Sequence, residues 1–194
     1  MEWATLYSQG LTIFERSGMG SSYRLIAKLA LACSILWSFA VAQAKVPEGW
    51  PFVDFNQAVE IAKREGKPMF VYFGFETCPY CIYLNEHTFT DEALRKRYSE
   101  HYVLAYFDIR GNRNDTITLP GGEQVTRAEA IKRLKGSPVP AWMFVDPQGN
   151  TILMSRGSQT RVDAFMTYDL FVNGGAYKRM TFDEFLSRRG IRVD

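Results

Sequence analysis

Cysteine and histidine are scarce in this chain, with three of the first and two of the second among 194 residues. A zinc site would have to combine Cys78 and Cys81 with His87 or His101. His87 comes six residues after Cys81 and would point to nearly the opposite side of a continuing helix, and zinc fingers need tighter ligand spacing. Both histidines therefore read as surface or partly packed side chains, and no metal site is assigned. Runs of basic residues are also missing, and the formal net charge is only +2. That balance gives no footing for nucleic acid and fits an ordinary soluble domain. Internal repeats and low-complexity segments are absent. What is present in quantity is apolar residues, 46% of the chain, enough for one compact domain.

Long apolar runs are lacking too. The run from Leu29 to Ala42 is too short to span a bilayer comfortably as a mature anchor. Arg24 and Lys28 precede it, and Ala42-Gln43-Ala44 follows with small residues where a signal peptidase reads them. This is the order of a secretory signal. The expectation is a signal peptide over residues 1–44, with Met19 as a candidate true start, and a mature domain over 45–194 without stable membrane insertion. A lipoprotein reading through Cys33 is weaker, because Ala30 stands where a leucine is usual and little apolar sequence comes before it. Cleavage after Ala44 removes Cys33 and leaves two cysteines, both in one motif. An isolated close pair in an exported protein points to chemistry rather than to a structural framework.

Along the mature chain, residues 46–51 form a turn-rich leader, and 54–65 carry helical spacing closed by Gly66 and Pro68. Met69 to Gly74 is an apolar run rich in Val, Phe and Tyr and reads as a buried strand. A short helix starts near Asp91, and residues 102–107 give a second buried strand. Residues 111–124 are polar, with 116–119 as half of a small hairpin. That segment is either a plain surface loop or a partner-selecting insertion. Thr126 with Glu129 makes a capping box for a helix to about Leu134. Residues 141–145 form a third strand, the turn at 146–150 follows, and 151–155 return antiparallel. Helices over 160–172 and 181–188 close the chain. This order describes an α/β fold, a mixed central sheet with helices on both faces, whose site should lie at the carboxyl end of a central strand. The strand aromatics, Phe70, Tyr72, Phe73, Tyr106, Phe107, Trp142 and Phe144, are assigned to the core.

At that carboxyl end stands Cys78-Pro79-Tyr80-Cys81. The first cysteine falls at a strand-to-helix switch, and Pro79 suits a first helical turn that needs no amide from it. The helix's positive end favours an anion, so the Cys78 thiolate should be stabilised. Cys81, one turn on, is close enough to form a disulfide with it. An accessible nucleophile beside a resolving thiol is suited to thiol–disulfide exchange. A structural disulfide or half of a zinc site is the alternative for the pair.

With Gly66-Lys67-Pro68, the Cys-Pro-Tyr-Cys motif and Pro138-Val139-Pro140-Ala141-Trp142 in place, the sequence resembles the thioredoxin superfamily, and most of all exported SoxW-type thioredoxin-like proteins. Gly174-Gly175-Ala176-Tyr177-Lys178 with Phe182 and Phe185 adds to the likeness. The resemblance implies a thioredoxin fold from about Trp50 onward, catalysis by Cys78 and Cys81, and a cis Pro140 whose loop faces the pair so that the Val139 backbone holds a substrate chain. An ordinary trans proline is the alternative at 140, and Pro138 reads as loop stiffening. Pro79 and Tyr80 join the substrate-contacting set. Two departures stand out. Tyr72 occupies the place of the buried acid of cytosolic thioredoxins, which shifts proton handling at Cys81 to Glu76 or water, and Thr77 replaces the usual tryptophan. The Pro-Tyr dipeptide is that of glutaredoxins, which suggests a potential of about −200 to −230 mV.

The expected activity is that of a protein-disulfide reductase in the periplasm, with no cofactor beyond the Cys78–Cys81 disulfide. Its expected partners are exported disulfide proteins and a membrane thiol donor of the DsbD or CcdA kind. Disulfide oxidation or isomerisation, or metal delivery through the cysteine pair, are the competing readings.

Overall fold

The computed structural model describes residues 46–157 and 161–191. The expected signal peptide, with Met19 and Cys33, lies outside the described residues. Among the described residues no helix is long and apolar enough to cross a membrane.

Strand β1 (Val53–Asp54) leads into helix α1 (Phe55–Glu65), then β2 (Met69–Gly74), α2 (Pro79–His87), α3 (Glu92–His101) and β3 (Val103–Asp108). A separate hairpin, β4 (Thr116–Thr118) and β5 (Gln124–Thr126), precedes α4 (Arg127–Arg133), β6 (Ala141–Val145), β7 (Thr151–Arg156), α5 (Val162–Val172) and α6 (Phe182–Arg189). The five-stranded sheet runs β1-β3-β2-β6-β7. β2 pairs parallel with β3 and antiparallel with β6, and β6 and β7 form the antiparallel pair read from the sequence.

Strand β2 has every residue buried because both of its faces are covered. Phe70 and Tyr72 point into one cluster with Leu104, Trp142 and Phe144, closed by Tyr98, Phe165 and Tyr168 from α3 and α5. Met69, Val71 and Phe73 point the other way, onto Phe55, Ala58, Val59 and Ala62 of α1 and Ala130 of α4. The alternation is the period of two that a strand imposes. It confirms the α/β sandwich with helices on both faces. Tyr106 is the one half-buried member of the predicted aromatic core.

Three local features refine the sequence reading. Val53 and Asp54 form a short edge strand beside β3, so Asp54, read as the first residue of the helical segment, is instead its N-cap. The Val139–Pro140 bond is cis, as the resemblance implies, and the Ser137–Pro138 bond is cis as well. The leader is ordered by its own anchors: the Trp50 indole donates to the Phe89 carbonyl at 2.6 Å, and its ring packs on Phe52 and Phe89. Gly49, at φ 74°, allows the turn, and a side chain there would run into Arg95.

Candidate active site

Helix α2 begins where β2 ends, and Cys78 is its N-cap residue. The Cys81 backbone N–H donates to the Cys78 sulfur at 3.2 Å, and the Cys78 carbonyl accepts from Ile82 N–H at 2.9 Å. Pro79 sits in the first turn, where the helix asks for no N–H. The two cysteines form a disulfide with their Cα atoms 5.2 Å apart. An N–H aimed at Cys78 Sγ at the positive end of a helix is the arrangement that favours a thiolate there once the bond is reduced.

The disulfide is less open than the motif suggests. Each cysteine is only 3% exposed and packs within an apolar cluster that also holds Tyr72 and Leu84. The accessible nucleophile of the sequence reading is therefore, in the disulfide form, a sulfur covered by its neighbours. Tyr80 has the opposite character, being 66% exposed. At the carboxyl end of β2, Gly74 leaves room for the pair, since a Cβ there would lie 3.4 Å from Cys81 Sγ and 3.3 Å from the Tyr106 hydroxyl.

Tyr72 lies beneath Cys81 with its side chain fully buried. Its hydroxyl donates to Asn85 Oδ1 at 3.2 Å and approaches the Cys81 carbonyl at 3.5 Å. Burial, with Tyr106 adding to it, raises the Tyr72 phenol far above its ordinary range, so Tyr72 is a neutral hydrogen-bond donor and not a proton acceptor. Tyr106 is raised as well, by burial first and then by Asp108 and Glu76. Glu76 is exposed and lines the groove that borders Cys81. Of the two modulating residues singled out from sequence, Tyr72 sits against Cys81 and Glu76 lines the groove beside it.

Val139 packs against both core clusters, and Pro140 is buried, its carbonyl accepting from Gly157 N–H at 3.0 Å. Two neighbours of the motif escaped the sequence reading. The Arg110 guanidinium stacks 3.8 Å over the Phe75 ring and reaches Thr77 Oγ1 at 3.5 Å. Asn85 receives the Tyr72 hydroxyl, and its spacing of four from Cys81 on one helix was the available signal.

A model of the thioredoxin-like domain family matches residues 55–168. Spermatogenesis-associated protein 20 of Mus musculus is 28% identical over 110 residues, which is 55% of this chain and 13% of that much longer protein. Among solved structures, a thioredoxin-fold protein from Helicobacter pylori is similar with a TM-score of 0.52 and 22% identity, over 64% of this chain and 80% of that one. A thioredoxin from Thermus thermophilus is similar with a TM-score of 0.52 and 20% identity, over 66% of this chain and 91% of that one. At such identities the structural likeness speaks for the fold. The matched region holds β2, the cysteine pair and the Val139–Pro140 loop, and the chain belongs to the thioredoxin-like domain family.

Proposed function

We propose that this protein is an exported thiol–disulfide oxidoreductase of the SoxW type that reduces disulfides of periplasmic proteins. The observation that carries the reading is the pair itself: Cys78 caps a helix with the Cys81 N–H on its sulfur, and Cys81 stands one turn behind it. In the reduced protein the Cys78 thiolate attacks one sulfur of a substrate disulfide and expels the other as a thiolate. The Cys81 thiolate then attacks the Cys78 sulfur of the mixed disulfide. The second substrate thiolate leaves, and two electrons have passed from the protein to the substrate. The backbone of Val139 holds the substrate chain as a short strand, with Pro140, Pro79 and Tyr80 shaping the contact. The role of Glu76 is to relay a proton at Cys81, since Tyr72 stays neutral.

Return to the dithiol form needs an external donor, for which a membrane thiol carrier of the DsbD or CcdA kind is the candidate. The disulfide is the whole redox equipment in this reading, with no further cofactor. Export rests on residues 1–44 as a signal peptide, and the periplasmic address follows from it.

The test is trapping. Cys81→Ser, reduced and mixed with a disulfide protein such as insulin, should accumulate a mixed disulfide through Cys78 that dithiothreitol reverses. Cys78→Ser should accumulate none under the same conditions. Equal trapping by the two variants, or none by either, would refute the assignment of roles.

A further inference from the structure

Beside Cys81 lies an open groove of about 790 Å³. Its floor is aromatic, from Tyr72, Phe75, Phe89 and Tyr106, and Cys81 is in its wall. The leader, α2 and the loop before Cys78 each contribute one carboxylate to it, Glu48, Glu86 and Glu76. Among the described residues none of the three has an ion-pair partner, and no lysine or arginine lines the groove. The Arg110 guanidinium is engaged over Phe75, and the Arg95 guanidinium beside Gly49 pairs with Glu92. The groove is built before any ligand arrives, because Trp50 and the Gly49 turn hold Glu48 in place.

Ile82 of the groove lining belongs to an exposed apolar set on α2. Four large hydrophobic residues are exposed among the described ones, and three of them, Tyr80, Ile82 and Tyr83, are on α2 around the cysteine pair. Apolar side chains crowded outward at one place on a soluble domain mark a contact surface.

We infer that this groove and the adjoining face of α2 dock a segment of the partner polypeptide that carries lysine or arginine beside apolar residues, next to the cysteine it exchanges with Cys78. The inference rests on the exchange activity proposed above and adds the chemistry of the partner. An alkyl stem over the aromatic floor with its cation among three unpaired carboxylates satisfies both halves of the groove. An acidic segment there would meet like charge, with no cation among the described lining residues. The fields of the three carboxylates add within the groove, so the preference acts on the encounter rate and fades with salt.

Two disulfide-bridged peptides test this, identical except for Lys and Arg or Glu on either side of the cysteine. The reduced protein is mixed with each, and its oxidation is followed by tryptophan fluorescence. At low ionic strength the basic peptide should react about tenfold faster. That ratio should fall to within about twofold at 0.5 M salt, and at least about threefold in Glu48→Gln/Glu86→Gln at low salt. Equal rates for the two peptides, or a ratio unmoved by both salt and the double substitution, would overturn the inference. Hydroxyethyl disulfide, small and uncharged, separates the two layers of the reading. If it too fails to oxidise the protein, the exchange activity itself is wrong, and the docking inference falls with it.

Discussion

Reducing the Cys78–Cys81 bond should lower the stability of the fold by about 1 kcal/mol, a net of two opposing effects of known size. The bond closes a loop of only four residues. The chain-entropy relation for such a loop gives about 1.9 kcal/mol in favour of the oxidised form at 25 °C. Against it stands the thiolate that reduction creates at the α2 N-cap, where the helix's positive end and the Cys81 N–H return roughly 1 kcal/mol. Entropy wins narrowly. Urea unfolding with and without dithiothreitol, followed through Trp50 and Trp142, reads the difference directly. With a slope of about 2 kcal/mol per molar, the oxidised midpoint should lie about 0.5 M higher. By the thermodynamic cycle, the folded pair then sits about 20 mV below the same cysteines in the unfolded chain. A reduced form equal to or more stable than the oxidised one would refute the reasoning. It would mean that thiolate stabilisation dominates and that the protein is built as an oxidant.

Other consequences concern the frame that holds the pair. Asp169 is fully buried and accepts from His101 Nδ1 at 2.7 Å, from the Tyr102 hydroxyl at 2.8 Å and from Arg97 Nε, tying α3 to α5. Asp169→Ala should cost about 3 kcal/mol in denaturant unfolding, the low end for a broken buried pair because Arg97 reaches solvent. A loss below about 1 kcal/mol would show the network to be idle. A Cβ on Gly136 would lie 2.5 Å from the Phe73 ring, which is wholly buried. Gly136→Ala should therefore destabilise by about 1–3 kcal/mol, and a neutral result would place that ring elsewhere. Burial raises the phenols of Tyr72, Tyr98 and Tyr102 above their ordinary value. The folded state thus holds protons that the unfolded chain gives up above about pH 10. Stability should be unaffected by these groups below pH 10 and fall above it, by up to about 4 kcal/mol per pH unit for the three together. A flat stability curve from pH 9 to 11.5 would contradict their burial.

What the sequence made legible was local. Cys78 and Pro79 announce a capped helix because both act on the first turn alone, and β2 is visible because a strand buried on both faces reads as an unbroken apolar run. Thr126 and Thr181 mark helix starts for the same reason, each with its side chain on the backbone three residues on. Contacts made across the fold left no such trace. Val53 and Asp54 are a strand only because β3 lies beside them, and two residues carry no periodicity. Glu48 joins the groove that Cys81 borders, beside Trp50, which is anchored on Phe89 thirty-nine residues away in sequence. Arg110 reaches the motif across the sheet from the end of β3. His101 was read as partly packed, and its role as a ligand of a buried carboxylate became visible only with α5 in place.

The measurement that bears most directly on the central claim is the reduction potential of the Cys78–Cys81 pair, from equilibration of the purified protein against defined glutathione and dithiothreitol ratios. The reductase account predicts reversible closure at a value between about −200 mV, the glutaredoxin side, and −270 mV, the thioredoxin side. A value near −120 mV would contradict it and make the protein a disulfide donor. A pair that never closes reversibly would remove thiol–disulfide exchange altogether and leave soft-metal binding as the use of these two sulfurs.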